Sequence, residues 1–211
     1  MPTKDNDCSG GAPATCSNGA RAVSPPPSPA APIPAPAAVP ASGGHVWFVG
    51  AGPGDPELLT LKARRIIAEA DLVLYAGSLV PPQVVACAKA DARVIDSAPL
   101  TLERTHALLR ETALAGGTAA RVHTGDPSLY GTVREQMRLL HAEGIPCSVV
   151  PGVTAAFAAA AAAGVSFTAP EVTQSLVITR LEGRTPVPDA ERLRELARHG
   201  SAMAVYLSAA A

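Results

Sequence analysis

Short apolar runs alternate with longer amphipathic segments along the chain from His45 onward. The short runs are rich in β-branched residues, which is typical of buried strands, whereas apolar residues at helical spacing are typical of helices packed on a sheet. The alternation therefore predicts an α/β fold. The predicted strands are 45–49, 71–75, 92–95, 119–123, 147–150, 176–179 and 203–207. The predicted helices are 57–70, 102–114, about 128–143, 154–163 and 190–199.

Capping residues indicate where several of these helices begin and end. Asp55 is predicted to cap the first helix, because its side chain can accept a free N–H at that position. Pro56 would then stand at the first helical position, where the missing N–H of proline has no consequence. Gly116 is predicted to end the second helix, and Gly164 the alanine-rich fourth helix.

The first 43 residues differ in composition from the rest of the chain. They are mainly Ala, Pro, Ser and Gly, with almost no large apolar side chain, so burial cannot offset the entropy of ordering them. We expect a disordered extension, although the proline runs could also dock an aromatic groove as polyproline II. The sequence then predicts an N-terminal α/β domain at 44–150 and a C-terminal α/β domain at 151–211.

Composition and charge exclude several classes of function. The formal net charge is -1 and the basic residues are scattered, which argues against a nucleic-acid binder. The four cysteines are far apart and lack the spacing of a metal site, so free thiols in a reducing cytoplasm are expected. The most apolar stretch, 155–163, is too short to cross a bilayer, which needs about 20 residues. No export signal and no metal are therefore predicted.

The first of three glycine-bearing loops lies at 50–56 and has the sequence Gly-Ala-Gly-Pro-Gly-Asp-Pro. It matches a dinucleotide-binding turn poorly, because Pro53 and Pro56 remove backbone donors. Asp55 also puts a carboxylate where a pyrophosphate would bind. NAD and ATP are disfavoured, and a cationic ligand such as the sulfonium of S-adenosylmethionine fits better. The alternative, a tight turn and cap without a ligand, stays open.

The other two loops also follow predicted strands, where open α/β sheets form their ligand crevices. Residues 124–127 repeat the Gly-Asp-Pro element, and Asp126 is either a helix cap or a ligand contact. Residues 151–155 open an alanine-rich helix, whose small side chains would let a flat ligand approach the backbone. Thr154 could cap that helix or bind a ligand, and the local sequence does not separate the two.

Several segments resemble the tetrapyrrole (corrin/porphyrin) methylases. VGAGPGDPELLTLKA at 49–63 is similar to the N-terminal signature of uroporphyrinogen and precorrin methylases, and PGVTA at 151–155 resembles their shared cofactor region. Within this family, three further segments are most similar to the methylases that act on precorrin-4 at C-11. They are YAGSLV at 75–80, HTGDPSLYG at 123–131 and PEVTQSLVITRLEGRTPVP at 170–188.

The resemblance extends over 45–208 and implies a fold, a cofactor and a substrate class. The implied enzyme is a homodimer of two-domain subunits that binds S-adenosylmethionine in the cleft between the domains and methylates a tetrapyrrole, precorrin-4, at C-11. By position, the resemblance implies cofactor contacts for Pro53, Thr124, Gly125, Asp126, Leu129, Thr154, Ala155 and Leu207.

The substrate contacts and the catalytic group are less defined. The implied substrate carries many carboxylates, which makes Arg180 and Arg184 candidate partners, with solvated loop charges as the alternative. His123 ends a strand, where it could be a general base or a partly buried structural histidine. Tyr75 and Tyr130 could stack on a macrocycle or pack in the core. No catalytic residue is assigned.

Members of the family continue for several strands beyond the position that matches Ala211. On that basis the C-terminal domain is expected to be incomplete and the 211-residue chain to be inactive by itself. Two alternatives remain: a methylase for another precorrin carbon or for cobalt-precorrin-4, and a non-catalytic remnant. Retention of S-adenosylhomocysteine during purification would separate an enzyme from a remnant.

Overall fold

The structure, a computed structural model, describes residues 43–183 and 185–208. Its main sheet has five parallel strands in the order β3-β2-β4-β1-β5. The strands are β1 (His45–Gly50), β2 (Leu72–Tyr75), β3 (Arg93–Asp96), β4 (Thr118–His123) and β5 (Cys147–Val150). A second sheet pairs β6 (Leu176–Arg180) with β7 (Ala202–Tyr206), also in parallel. The predicted α/β class is therefore confirmed.

Helices connect the strands of the main sheet, as parallel pairing requires. The connecting helices are α1 (Leu61–Glu69), α2 (Pro82–Val85), α3 (Leu102–Leu114) and α4 (Val133–Ala142). Two further helices are α5 (Ala155–Ala163) and α6 (Leu193–Ala197). Helix α5 leads from the main sheet towards β6, and α6 lies between β6 and β7.

The core divides into two clusters because side chains alternate between the faces of a strand. Phe48 of β1 packs in a cluster with Leu109 of α3 and Leu140 of α4, all of them buried. Val49, the next residue, belongs to the second cluster with Ile67 of α1. Both faces of the sheet are thus covered by helices, which explains why its strands are apolar along most of their length.

The first predicted helix, 57–70, is wrong at its start. Asp55 does act as a cap, but it caps a single 3-10 turn, Pro56–Leu58, by accepting a 2.9 Å hydrogen bond from the Glu57 N–H. The chain then becomes extended, and Thr60 caps α1 by accepting from the Ala63 N–H at 3.1 Å. A second capping residue five positions after the first therefore separates the turn from the helix.

Other predicted boundaries also move. The helix expected from about residue 128 begins only at Val133, because Tyr130 has a left-handed backbone with φ 53° that interrupts a helix. The helix predicted at 190–199 is a 3-10 turn, Asp189–Glu191, followed by the short α6. The short helix α2 was not predicted.

The described residues include no helix long and apolar enough to cross a membrane. Within the same residues, no three His, Cys, Asp or Glu side chains are grouped so that they could hold a metal ion. Cys87 and Cys147 are free thiols. The other two cysteines and the predicted extension, 1–43, lie outside the described residues except for Gly43.

Candidate functional site

The three glycine-bearing loops meet at one edge of the main sheet. They follow β4, β1 and β5, which are neighbours in the strand order. Because the strands are parallel, their carboxyl ends lie side by side, and ligands of open α/β sheets bind at such ends. The expectation that these loops lie at one crevice agrees with this geometry, while their cofactor role stays a prediction.

The loops contact one another through their backbones. Gly52 and Gly125 exchange two hydrogen bonds, with N–H to O distances of 3.2 and 2.8 Å. A Cβ atom at Gly152 would lie only 2.2 Å from the Gly125 carbonyl oxygen. One at Gly50 would lie 2.5 Å from the Gly152 nitrogen. Glycine is therefore required by close backbone approach at Gly50 and Gly152.

Asp126 links the second loop to the third. Its carboxylate accepts hydrogen bonds from the Ser128 N–H at 2.8 Å, from the Ser128 hydroxyl, and from the Gly152 N–H at 3.0 Å. Burial would raise the pKa of this carboxyl, but the hydrogen bonds from Ser128 and Gly152 outweigh burial and lower the pKa. Asp126 is not the cap of α4, whose N-cap residue is Thr132. Like Asp55 it accepts from the N–H two positions later, but it also bonds to the third loop.

Thr154 and Tyr206 connect the third loop to β7. Thr154 is the N-cap residue of α5, yet its side chain makes no capping hydrogen bond. Its hydroxyl instead bonds to the Tyr206 hydroxyl, which also accepts from the Ala156 N–H at 3.0 Å. Tyr206 thus caps α5 from a distant strand. Sequence reasoning missed Tyr206, since no local pattern marks a contact across 50 residues.

Tyr206→Phe should lower the free energy of unfolding by about 1–3 kcal/mol, because it leaves two partly buried polar groups without a partner. Urea unfolding measures the change. Tyr75→Phe is the matched control, since the Tyr75 ring packs against the core and stays in place. Equal stability of the Tyr206→Phe variant and the unmodified protein would show that this hydroxyl does not hold α5 to β7.

A cavity of about 420 Å³ lies beside the second loop and the end of β6. Its lining includes Tyr130, Arg180 and Leu207. The prediction that Leu207 ends the last strand is wrong, because β7 ends at Tyr206. Leu207 follows the strand with a left-handed φ of 54°, and its side chain is exposed.

Arg180 donates to the carbonyl oxygens of Leu181 and Thr185, both at 3.1 Å, so its guanidinium is already engaged by its own loop. Arg184 lies outside the described residues.

The remaining predicted contacts lie at two other surfaces. Thr124, Asp126 and Leu129 line a cavity of about 200 Å³, which shares Tyr130 with the larger one. Ala155 lines an apolar groove of about 470 Å³ between α5 and β7. Pro53 is half-buried in the first loop. Three of the predicted cofactor residues belong to one group of contacts. Asp126 accepts from the Gly152 N–H, and Gly125 lies against the backbone of Thr154 at the start of α5.

Two further polar residues face the smaller cavity, Arg121 and His123. Burial, and then the charge of Arg121, lower the pKa of His123 to about 3. Its imidazole is therefore neutral at physiological pH and is a weak base. Sequence reasoning did not single out Arg121, although a charged residue inside the apolar run at 119–123 was the available signal.

Comparisons with known proteins agree with this arrangement. Residues 45–211 match the model of the family described as Tetrapyrrole (Corrin/Porphyrin) Methylases. A cobalt-precorrin-4 C(11)-methyltransferase of Priestia megaterium is 47% identical over 164 residues, which are 78% of this chain and 64% of the relative. A precorrin-4 C(11)-methyltransferase of Pseudomonas aeruginosa is 48% identical over 165 residues, 78% of this chain and 66% of that relative.

Solved structures give the same family. The X-ray structure of a cobalt precorrin-4 methyltransferase superposes with a TM-score of 0.75 at 46% identity, covering 78% of this chain and 69% of the other. A uroporphyrin-III C-methyl transferase from Thermus thermophilus, complexed with S-adenyl homocysteine, superposes with a TM-score of 0.56 at 35% identity, covering 69% and 60%. The chain spans less than two thirds of the length of both curated relatives. The chain belongs to the tetrapyrrole methylase family.

Proposed function

We propose that this chain provides the cofactor loops of an S-adenosylmethionine-dependent methyltransferase that methylates precorrin-4 at C-11 in cobalamin biosynthesis. The observation that carries the proposal is the convergence of three glycine-bearing loops at the carboxyl ends of β4, β1 and β5. The relatives named as precorrin-4 and cobalt-precorrin-4 methyltransferases match 78% of the chain, which supports the same activity.

The loops fit a cofactor with a sulfonium better than one with phosphates. The N–H groups of Gly52, Gly125 and Gly152 are all engaged, by one another's loops or by Asp126. A pyrophosphate needs several free N–H donors, which these positions do not offer. The carboxylate of Asp126 adds negative charge, which favours a cation. The apolar groove beside Ala155 has the size and character of a site for an adenosine group.

Bound S-adenosylmethionine supplies a methyl group on a sulfonium sulfur, with a neutral thioether as the leaving group. The residues of this chain would then need to hold two reactants in line, which can contribute about 7–11 kcal/mol of the acceleration. Pro53, Thr124, Gly125, Asp126, Leu129, Thr154, Ala155 and Leu207 are the proposed contacts with the cofactor. The wall formed by Tyr130 and Arg180 would face the tetrapyrrole, with Arg184 as a second proposed partner of its carboxylates.

The same proposal includes the organisation of the protein. The five-stranded sheet would form an N-terminal domain at 44–150, and the β6-β7 sheet would belong to a C-terminal domain that starts at 151, with the cofactor between them. The exposed side chain of Phe157 on α5 supports a homodimer, because large exposed apolar groups are typical of interfaces. The two free thiols support a cytoplasmic location.

Cobalt-precorrin-4 is a second candidate substrate. The curated relatives named for the cobalt-loaded and the cobalt-free substrate are 47% and 48% identical to the chain, so neither identity favours one substrate.

An assay of methyl transfer from radiolabelled S-adenosylmethionine tests the proposal. It is carried out separately with precorrin-4 and with cobalt-precorrin-4 as the substrate. For a protein extended to the length of these relatives, we expect label in one of these products at C-11, and S-adenosylhomocysteine in the purified protein by mass spectrometry. Binding without transfer would mean a non-catalytic remnant. Transfer to a different precorrin carbon would contradict the assigned position, and failure to bind either form of the cofactor would contradict the proposal as a whole.

A further inference from the structure

Arg121 is a charged residue in the central strand of the main sheet. Ala120 and Val122 on either side of it belong to the apolar cluster on one face. Arg121 and His123 therefore point to the opposite face, since side chains two positions apart share a face of a strand. The His123 ring lies 5.9 Å from the ring of Phe48 on that face. Both side chains reach the cavity of about 200 Å³ beside the second loop.

Neutral groups hold the guanidinium of Arg121 on one side. Its Nη1 donates to the Ser97 hydroxyl at 2.7 Å and to the Leu74 carbonyl at 3.3 Å. Its Nε is buried and has no hydrogen-bond partner among the described residues. Burial lowers the pKa of Arg121 to about 10, so the group stays charged at neutral pH. A largely buried cation held only by neutral groups is unfavourable unless an anion joins it.

His123 carries a second unpaired nitrogen, and its side chain lines the same cavity. Its Nε2 is buried and has no hydrogen-bond partner in the described part of the chain. A neutral imidazole has one N–H, so Nε2 donates a hydrogen bond in the tautomer that has its proton on Nε2. Buried polar atoms are nearly always paired in native proteins, so two unpaired nitrogens at one cavity require an explanation.

Asp126 provides the carboxylate in the lining of this cavity, but it does not pair with Arg121. Asp126 is engaged by the N–H groups of Ser128 and Gly152 and by the Ser128 hydroxyl. None of the ion pairs within the described residues includes Arg121. The cavity is therefore lined by a cation and a neutral imidazole, and it has enough volume for a small anionic group.

We propose that the Arg121–His123 cavity is a carboxylate-binding subsite, in which Arg121 neutralises the anion beside the neutral imidazole of His123. The proposal deepens the proposed function and rests on it for the identity of the ligand. Two ligands of such an enzyme carry carboxylates: the cofactor in its methionyl group, and the tetrapyrrole in its side chains. The cavity is lined by Thr124, Asp126 and Leu129 on the cofactor loop and by Tyr130 towards the larger cavity, so it adjoins both proposed sites.

Arg121→Gln tests the subsite, with Arg93→Gln as the matched control because Arg93 is an exposed arginine in a strand of the same sheet. Calorimetry would measure the affinities for S-adenosylhomocysteine and for 5′-methylthioadenosine, which lacks the carboxylate. Fluorescence quenching would measure the affinity for uroporphyrin III. A loss of about tenfold or more for S-adenosylhomocysteine alone identifies the cofactor carboxylate. The same loss for uroporphyrin III alone identifies a tetrapyrrole side chain. Arg93→Gln should change neither.

A third probe keeps this test independent of the proposed function. Propionate titrated into protein with ¹⁵N-labelled histidine should shift the His123 Nε2 resonance in the unmodified protein and not in the Arg121→Gln variant. Thermal unfolding of the variant checks that the fold is retained. Unchanged affinities for all the ligands, together with no response of His123 to propionate, would overturn the subsite even if the protein methylates precorrin-4. A propionate response in a protein that does not methylate would support the subsite and contradict only the proposed function.

Discussion

Gly125→Val is expected to abolish binding of S-adenosylhomocysteine while the fold persists. Gly125 has a left-handed backbone with φ +60°, which costs a non-glycine residue about 1–2 kcal/mol and a β-branched residue more. Its N–H and C=O are both bonded to Gly52, so relaxation of the strain would displace the first loop as well as the second. Calorimetric titration of S-adenosylhomocysteine measures the loss.

Gly144→Val provides the control for backbone strain. Gly144 also has a left-handed backbone, with φ +72°, but it follows α4 and an added Cβ would meet nothing within 4 Å. Both variants should lose a similar amount of stability, and only Gly125→Val should lose affinity. Unchanged affinity in a folded Gly125→Val variant would contradict the assignment of the second loop to the cofactor.

Asp126→Asn is expected to lower the free energy of unfolding by about 2 kcal/mol, because an amide cannot accept all of the charge-assisted hydrogen bonds that the carboxylate accepts. For a domain of this size, that loss corresponds to a fall in Tm of about 4–8 °C. Differential scanning calorimetry measures it. Asp55→Asn is the matched control, because Asn caps as well as Asp and Asp55 accepts one exposed hydrogen bond.

The effect of Asp126→Asn should depend on pH. The folded pKa of Asp126 is lowered, so its carboxylate contributes stability that is present above the unfolded pKa of about 3.9 and is lost as the pH falls through the folded value. The difference in free energy of unfolding between the variant and the unmodified protein should therefore be largest at pH 7 and should decrease below about pH 4. Urea unfolding at pH 7 and pH 3 measures both differences. An equally large difference in free energy of unfolding at pH 3 would mean that the charge of the carboxylate does not contribute to stability.

Much of the fold could be predicted because strands buried on both faces are marked by local composition. The predicted strands at 45–49 and 147–150 match β1 and β5 within one residue. Helix starts were less predictable, since they depend on which of two capping residues is used. Asp55 and Thr60 are both good caps, and the extended backbone of Leu59 between them decides the outcome.

The convergence of the three loops could also be predicted, because parallel neighbouring strands must end at one edge of a sheet. The contacts that hold the loops together could not. Asp126 bonds to Gly152 across 26 positions, and Tyr206 bonds to Thr154 across 52. No local sequence pattern records such pairs. Arg121 illustrates the same limit, because its unpaired Nε is visible only once Ser97 and Leu74 are placed around it.

We propose that the loops after β4, β1 and β5 together form the cofactor site. Titration of S-adenosylhomocysteine into ¹⁵N-labelled protein, followed by the backbone amide resonances, tests it most directly. We expect the amides of Gly52, Gly125 and Thr154 to shift together with a single dissociation constant, and NAD to produce no such shift. Shifts confined to other parts of the chain, or an equal response to NAD, would contradict it.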